Sequence, residues 1–342
     1  MQISVKASVI VRSRNEADRL RLTLASLAAQ SVAAEVVVVN DGSDDHTPQV
    51  LAEAAGDLQL LRIDHATALG RSAAANAGAA RASGDVLIFL DGDTLAAPDL
   101  VATHLALHAA RPGIVARGET HHLRRTRPLL DPGEGTPFPG QEDQVRQMPE
   151  RERALARITR ADILGNFAAI DARSQPGIYP GAGPRQLFEL EMAALRDHPG
   201  CPALWVAASG SNQSVPRAAF LDAGGFDPDL SINEHRELAL RLSLAGLTMV
   251  AAAARTYHMI HRSGWRDPLE DRDWEAQFYQ RHPISEVALL AVLWESLSDR
   301  LAEPSRILSI PALVDAARRC DGVVGCEAVR AAHAALTGVL AG

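Results

Sequence analysis

The 342-residue chain is short of several things, and each shortage removes a class of function. Aromatic residues make up only 4%, and Lys and Arg number 34 against 42 Asp and Glu, for a formal net charge of -8. Lacking a basic stripe interleaved with aromatics, the chain has no footprint for gripping nucleic acid. No apolar run approaches the ~20 residues that span a bilayer, and Ala-rich pieces such as Val250 to Ala254 are too short. The N-terminus lacks a charged-then-apolar leader pattern, so a cytoplasmic protein is expected, with peripheral membrane contact left open. The three cysteines, Cys201, Cys320 and Cys326, are an odd set without metal-type spacing. Ordinary thiols in a reducing compartment are therefore expected rather than a disulfide frame.

What is present, 47% hydrophobic and 22% charged residues, suffices for a large core in one elaborated domain or two closely joined ones. Strand and helix patterns alternate from the start. Ser8-Val9-Ile10-Val11 reads as a strand, followed by Arg12-Ser13-Arg14-Asn15-Glu16 and an amphipathic helix through Leu20, Leu24 and Leu27. A second strand, Glu35 to Val39, runs into Asn40-Asp41-Gly42-Ser43-Asp44-Asp45, with a helix near Thr47 to Ala55. A short strand at Leu60 to Ile63, the segment Gly70 to Gly78 and a strand at Val86 to Leu90 follow. Continuous Val, Ile and Leu runs separated by helices predict parallel strands covered on both faces, joined by right-handed crossovers. From about Arg111 the chain turns rich in Pro, Gly and charge, with helix-like stretches from Glu150 to about Ile170 and from Arg185 to Asp197. After Pro268 the pattern is mostly helical, at Glu286 to Leu301, Pro311 to Arg319 and about Val324 to Leu340.

The most informative stretch is Val86-Leu87-Ile88-Phe89-Leu90-Asp91-Gly92-Asp93, an apolar strand that runs straight into two carboxylates. In an extended segment Asp91 and Asp93 share a face and can converge on one Mg²⁺ or Mn²⁺. The carboxyl end of a strand is also where α/β sheets bind their ligands. A solvated Asp-Gly-Asp turn is the plainer reading of an isolated instance.

In their order and spacing, Ser8 to Val11 with Asn15-Glu16, Val38-Val39-Asn40-Asp41-Gly42-Ser43, Gly70 to Gly78 and Leu90-Asp91-Gly92-Asp93 resemble the nucleotide-sugar-binding half of the family-2 inverting glycosyltransferases. Gly210 to Val215 with Arg217, Gly224-Gly225-Phe226-Asp227 and Asn233 to Arg241 look like that family's acceptor-side region. The resemblance implies an α/β GT-A fold, with a mostly parallel central sheet flanked by helices and a helical C-terminal extension. It divides the chain into a transferase domain over 1–268 and a helical region over 269–342. Within the first, 1–110 would bind the nucleotide sugar, 111–203 would be a variable acceptor-side elaboration and 204–268 the acceptor and catalytic half.

The implied reaction is metal-dependent, inverting transfer from a nucleoside-diphosphate sugar, with a UDP-sugar first among donors. The acceptor is left open among glycan, lipid-linked, protein and small natural-product hydroxyls. By the resemblance, Asp93 ligates Mn²⁺ or Mg²⁺ directly and Asp91 lies toward the ribose and the cation. Asp41 accepts from the base ring N–H, Arg12, Ser13 and Glu16 line the nucleotide pocket, and Arg71 pairs with phosphate or base. His258 and His261 are candidates for a further metal ligand, His258 ahead, and Gly264, Trp265 and Arg266 read either as a basic and aromatic loop that closes over the diphosphate or as a stretch in which Trp265 simply packs. Where the family places an acidic pair this chain has Glu234-His235, so the general base is open among His235, Glu234 and Glu237. Carboxylates here also suit a helix N-terminus with no catalytic part. A sugar nucleotidylyltransferase would need a Gly-rich loop after the first strand, and Arg12 to Asp18 has no glycine. A non-catalytic nucleotide-sugar-binding protein is the other alternative.

Overall fold

The computed structural model describes residues 5–176, 187–261, 268–297 and 308–337. Four strands, β1 (Ala7–Ser13), β2 (Glu35–Asp41), β3 (Leu60–His65) and β4 (Val86–Asp91), pair in parallel in the order β3-β2-β1-β4. The helices α1 (Ala17–Ala28), α2 (Thr47–Ala54) and α3 (Arg71–Arg81) connect them. Because successive strand residues point to opposite faces, one sequence run feeds two cores. Val9, Val11, Val36, Val38, Ile88 and Leu90 meet Leu20, Leu24 and Leu27 of α1 and Val50 and Leu51 of α2. Ile10, Val37, Leu87 and Phe89 meet Ala75 and Ala79 of α3 on the other face. Here α3 lies so close that a Cβ on Gly78 would stand 2.6 Å from Ile10 Cγ2.

The sheet then changes direction. After β5 (Thr94–Ala96) and α4 (Leu100–Ala110) comes the long β6 (Ile114–His122). A small hairpin of β7 (Leu129–Asp131) and β8 (Thr136–Pro137) precedes α5 (Glu142–Gln147). The expected helical stretch from Glu150 to Ile170 is three short helices, α6 (Glu150–Ala156), α7 (Arg160–Gly165) and α8 (Phe167–Asp171). Its break has a local cause: Thr159 and Asp162 form a reciprocal capping box that starts a new helix. Next come β9 (Gln175–Pro176), α9 (Leu187–Asp197), β10 (Gln213–Pro216), α10 (Arg217–Asp222), α11 (Glu234–Leu244) and β11 (Thr248–His258). The full order is β3-β2-β1-β4-β10-β6-β11-β5, with β9 also on β6. Strand β10 runs antiparallel between β4 and β6, while β11 is parallel to β6 and antiparallel to β5. The mixed α/β architecture matches the expected fold class.

Helices α12 (Asp273–Arg281), α13 (Ser285–Ala288), α14 (Leu290–Ser296), α15 (Ile310–Arg319) and α16 (Cys326–Thr337) complete the described chain. The expected helix from Glu286 is interrupted at Leu289, and its last residues lie outside the described ones. Trp274, Phe278, Leu290, Leu293, Leu313 and Val314 belong to the same core as Trp205, Phe220 and Leu238, so these helices share a core with the sheet. All three cysteines are free. Among the described residues, no helix is long and apolar enough to cross a membrane.

Candidate active site

The candidate residues gather where β1, β2 and β4 end. Strand β4 stops at Asp91, and Gly92-Asp93 is a turn into β5. The two carboxylates therefore do not stay on one extended face, as the i, i+2 spacing suggests, but take different partners. Asp91 lies opposite Arg12 in the β1–β4 register and accepts from Arg12 Nε at 2.7 Å. Arg12 Nη2 also donates to the Gly210 carbonyl at 3.0 Å. Gly92 allows no side chain, since a Cβ there would stand 2.4 Å from Glu16 Oε1 and 2.9 Å from Ser13 Cβ.

Asp93, 8% exposed, meets two histidines instead. Its Oδ2 is 2.8 Å from His261 Nε2 and 3.2 Å from His258 Nε2. The register sets this up, because His258 pairs with Thr94 across β11 and β5 and Met259 N donates to the Asp93 carbonyl at 3.0 Å. Burial works to raise the Asp93 pKa, but His258 and His261 outweigh it and hold the carboxyl well below its ordinary value. Burial likewise works to lower His258, and the Asp93 carboxylate reverses it, raising His258. Glu16 beside them is pushed well above the usual carboxylate range by burial and by the Asp93 charge. The ligand atoms of Asp93, His258 and His261 all lie within 4.8 Å of one another. One hard oxygen and two imidazole nitrogens at this spacing fit a divalent cation, and the mixed donor set suits Mn²⁺ better than Mg²⁺.

Asp41, at the end of β2, is 4% exposed and already busy. Oδ1 accepts from Leu69 N at 2.8 Å and meets His65 Nδ1 at 2.7 Å, and Oδ2 accepts from Gly70 N at 2.9 Å. Those bonds fix the loop that delivers Arg71 to the first turn of α3. Arg71 Nε in turn reaches Glu234 Oε1 at 3.1 Å, and Arg12 Nη1 stands 3.9 Å from the same oxygen. Arg12, Asp91, Arg71, Glu234 and His235 thus form one cluster. Glu237 faces other partners: Arg241 binds it at 2.8 and 2.6 Å and His282 at 2.8 Å, which ties α11 to the end of α12. Gly264, Trp265 and Arg266 lie outside the described residues.

Three buried side chains to which the sequence assigned no role in the site support this geometry. Arg19, 3% exposed, donates to the Leu129, Leu130 and Met259 carbonyls and so pins the β7–β8 hairpin beside the histidines. His122 places its ring 5.5 Å from that of His258, with its pKa lowered by burial to about 3. Arg236 holds His235 from behind. Only Arg236 falls inside a motif visible in the sequence.

Residues 8–126 match the family model described as glycosyl transferase family 2. Validoxylamine A glucosyltransferase of Streptomyces hygroscopicus subsp. jinggangensis (strain 5008) is 32% identical over 257 residues, which cover 72% of this chain and 53% of that protein. The chain thus spans about half the length of that relative. Among solved structures, S. aureus TarS 1-349 in complex with UDP-GlcNAc aligns with a TM-score of 0.54 at 15% identity, covering 96% of this chain and 88% of that one. GalNAc-T7 with UDP, GalNAc and Mn²⁺ aligns with a TM-score of 0.50 at 18% identity, covering 84% and 52%. At such identities the structural likeness is one of fold, and the fold is of the GT-A type. Sequence likeness and shared architecture agree, and residues 8–126 of this chain belong to glycosyltransferase family 2.

Proposed function

We propose that this chain transfers a hexose from a nucleoside-diphosphate sugar, a UDP-sugar first among donors, to an acceptor hydroxyl, with a divalent cation and inversion at the anomeric carbon. The observation that carries the reading is the convergence of Asp93, His258 and His261 at the strand ends beside the Arg12–Asp91 pair. TarS is described with UDP-GlcNAc and GalNAc-T7 with UDP and Mn²⁺, which supports a nucleotide-sugar donor and a cation for the same fold. Asp93, His258 and His261 would hold the Mn²⁺ or Mg²⁺, which when bound supplies Lewis-acid stabilisation of the diphosphate leaving group.

The chain's own residues do the rest. A carboxylate has about four acceptor sites; Asp41 has contacts at three, which leaves one for a base N–H. Arg12 Nη1 and Ser13 Oγ are buried without a hydrogen-bond partner, polar groups that a nucleotide would satisfy. The Arg71 side chain is 41% exposed at the mouth of the same cluster and can pair with phosphate. On this reading residues 1–110 bind the donor, 111–203 and 204–268 contact the acceptor, and 269–342 buttress α11. Free thiols fit a reducing, cytoplasmic setting.

The test is product analysis with nucleoside-diphosphate sugars and Mn²⁺. Release of nucleoside diphosphate, with inverted anomeric configuration in the transferred sugar by NMR, is the expected result. Pyrophosphate release would show nucleotidylyl transfer instead, and tight donor binding without any release would show a binding protein.

A further inference from the structure

Residue 235 stands where the family resemblance places the group that removes the acceptor's proton, and here it is a histidine under unusual constraint. Arg236, 3% exposed, is hydrogen-bonded inside the protein at all three of its guanidinium nitrogens. Nε donates to the Val206 carbonyl at 2.8 Å, Nη2 to Glu191 Oε1 at 2.5 Å, and Nη1 to Asn233 Oδ1 and to His235 Nε2, both at 2.8 Å. Its guanidinium packs over the Trp294 ring at 5.1 Å. Glu191 is fully buried, and its other oxygen accepts from Arg117 Nη2 at 2.5 Å, so the chain Arg117–Glu191–Arg236 is fixed from both ends.

A guanidinium has only donors and does not lose its proton. His235 Nε2 must therefore be the acceptor of that bond, and the ring proton sits on Nδ1. A second proton on Nε2 would set N–H against N–H. Nδ1 is buried without a hydrogen-bond partner, 3.6 Å from Glu234 Oε2, and a Cβ on Gly210 would stand 3.7 Å from it. Both Glu234 oxygens are also buried without a hydrogen-bond partner.

We propose that His235 is a hydrogen-bond donor, locked in its Nδ1–H form by the positioning residue Arg236, and that Glu234 takes the acceptor's proton. This deepens the transfer reading and rests on it. As the acceptor oxygen bonds to the anomeric carbon, the bond from that carbon to the diphosphate breaks and its electron pair leaves with the diphosphate. The acceptor's proton passes to Glu234, whose carboxylate the His235 Nδ1–H orients. Glu234 faces Arg71 from α3, Arg12 of β1 with its partner Asp91 of β4, and His235 on its own helix. Burial acts to raise the Glu234 pKa, but Arg71, His235 and Arg12 outweigh it, so the carboxylate stays ionised and able to accept. Burial and the Arg236 charge lower His235 to about 4, which keeps it neutral. A weak base suffices where the hydroxyl turns acidic only as its oxygen bonds to carbon.

Two experiments decide it. In ¹⁵N NMR of histidine-labelled wild-type protein near neutral pH, the signal that disappears in His235→Asn is expected to show a neutral Nδ1–H ring; an Nε2–H ring or an imidazolium overturns the proposal. In turnover assays, His235→Asn, which keeps a donor near the Nδ1 position, should hold kcat within about tenfold, while Glu234→Gln should lower kcat by about 10²-fold or more with donor affinity retained by calorimetry. An acid limb in the pH profile that survives in His235→Asn belongs with this result. Loss of turnover in His235→Asn with near-normal Glu234→Gln makes His235 the base and overturns it. No turnover by the wild type would sink the transfer reading, and the NMR measurement, which needs no donor, would still decide the state of His235.

Discussion

A single oxygen, Asp93 Oδ2, lies within 3.2 Å of two imidazole nitrogens. Asp93→Asn keeps the side-chain volume and removes the charge that gathers the histidines. Turnover is expected to fall by about 10²-fold or more, the several-kcal/mol scale of a cation's contribution to a phosphoryl leaving group. Any stabilisation by Mn²⁺ in a thermal unfolding scan should vanish with it. Undiminished Mn²⁺-dependent turnover would remove Asp93 from the metal site. Asp41 calls for a paired substitution because it also anchors Leu69 and Gly70. Asp41→Ala should weaken nucleoside-diphosphate binding by about 1.5–3 kcal/mol, the range for a hydrogen bond to a charged group. Asp41→Asn leaves an acceptor for only one of the Leu69 and Gly70 amides, so the unfolding midpoint is read beside calorimetry: a similar loss of binding with an unchanged midpoint assigns the effect to the nucleotide rather than to the turn.

Between α4 and β10 runs a buried polar chain whose proton positions can be deduced. Asn212 Nδ2 donates to the Glu119 and Ala254 carbonyls, so its Oδ1 accepts from His104 Nε2 at 3.0 Å. His104 Nδ1 then accepts from Ser214 Oγ, and that oxygen accepts from His108 Nε2, each at 2.8 Å. His104 must be neutral for this chain to close, since its Nδ1 accepts, while His108 needs only a proton on Nε2. Burial lowers each to about 4, His104 also affecting His108 by its charge. With an unfolded value of about 6.5, a lowered histidine contributes stability fully above that pH and loses it as pH falls toward 4. His258, which is raised, acts with the opposite sign, so the comparison with a variant is the useful readout. Urea unfolding between pH 7 and pH 4.5 should show a shallower loss in His104→Gln, which keeps a donor and an acceptor but does not titrate. An identical slope in both proteins would mean that His104 is not buried and neutral.

These elements also mark what was legible in the sequence. Strands β1, β2 and β4 are continuous apolar runs because both their faces are covered, and helix α4 shows its inward side through Leu100 and His104. Strand β10 is four residues long and exists through pairing with β4 and β6, more than a hundred residues back in one case, which no local pattern reports. The split between α6 and α7 was readable in Thr159 and Asp162, whose capping spacing outweighs the helical periodicity around it. At the site, Asp93 and the two histidines stood in recognisable stretches. Glu191 did not, since its meaning comes only from Arg117 and Arg236, 74 and 45 residues away.

For the whole molecule, α11 joins the two parts of the chain. Its first residue, Glu234, faces the cluster at the sheet ends, while Arg236 packs on Trp294 of α14 and Glu237 binds His282 beyond α12. The helices after residue 268 therefore hold the candidate catalytic turn in place through a shared core. A chain ending at residue 268 would lose Phe278 from the Trp205 ring and Trp294 from Arg236, and it is expected not to give a cooperative unfolding transition by circular dichroism. Ligand linkage tests the intact protein in the same terms. A donor that engages both Asp41 and the Asp93 turn binds only the folded chain, so at ~100 times its dissociation constant it adds about 2.7 kcal/mol of stability. In a protein of this size that shift raises the midpoint by several degrees. A screen of nucleoside-diphosphate sugars with and without Mn²⁺ should show one base class shifting the transition, more with the cation than without, and no cation effect in Asp93→Asn. Equal shifts with and without Mn²⁺ in the wild type would mean that the donor binds without the metal and that Asp93, His258 and His261 serve another purpose.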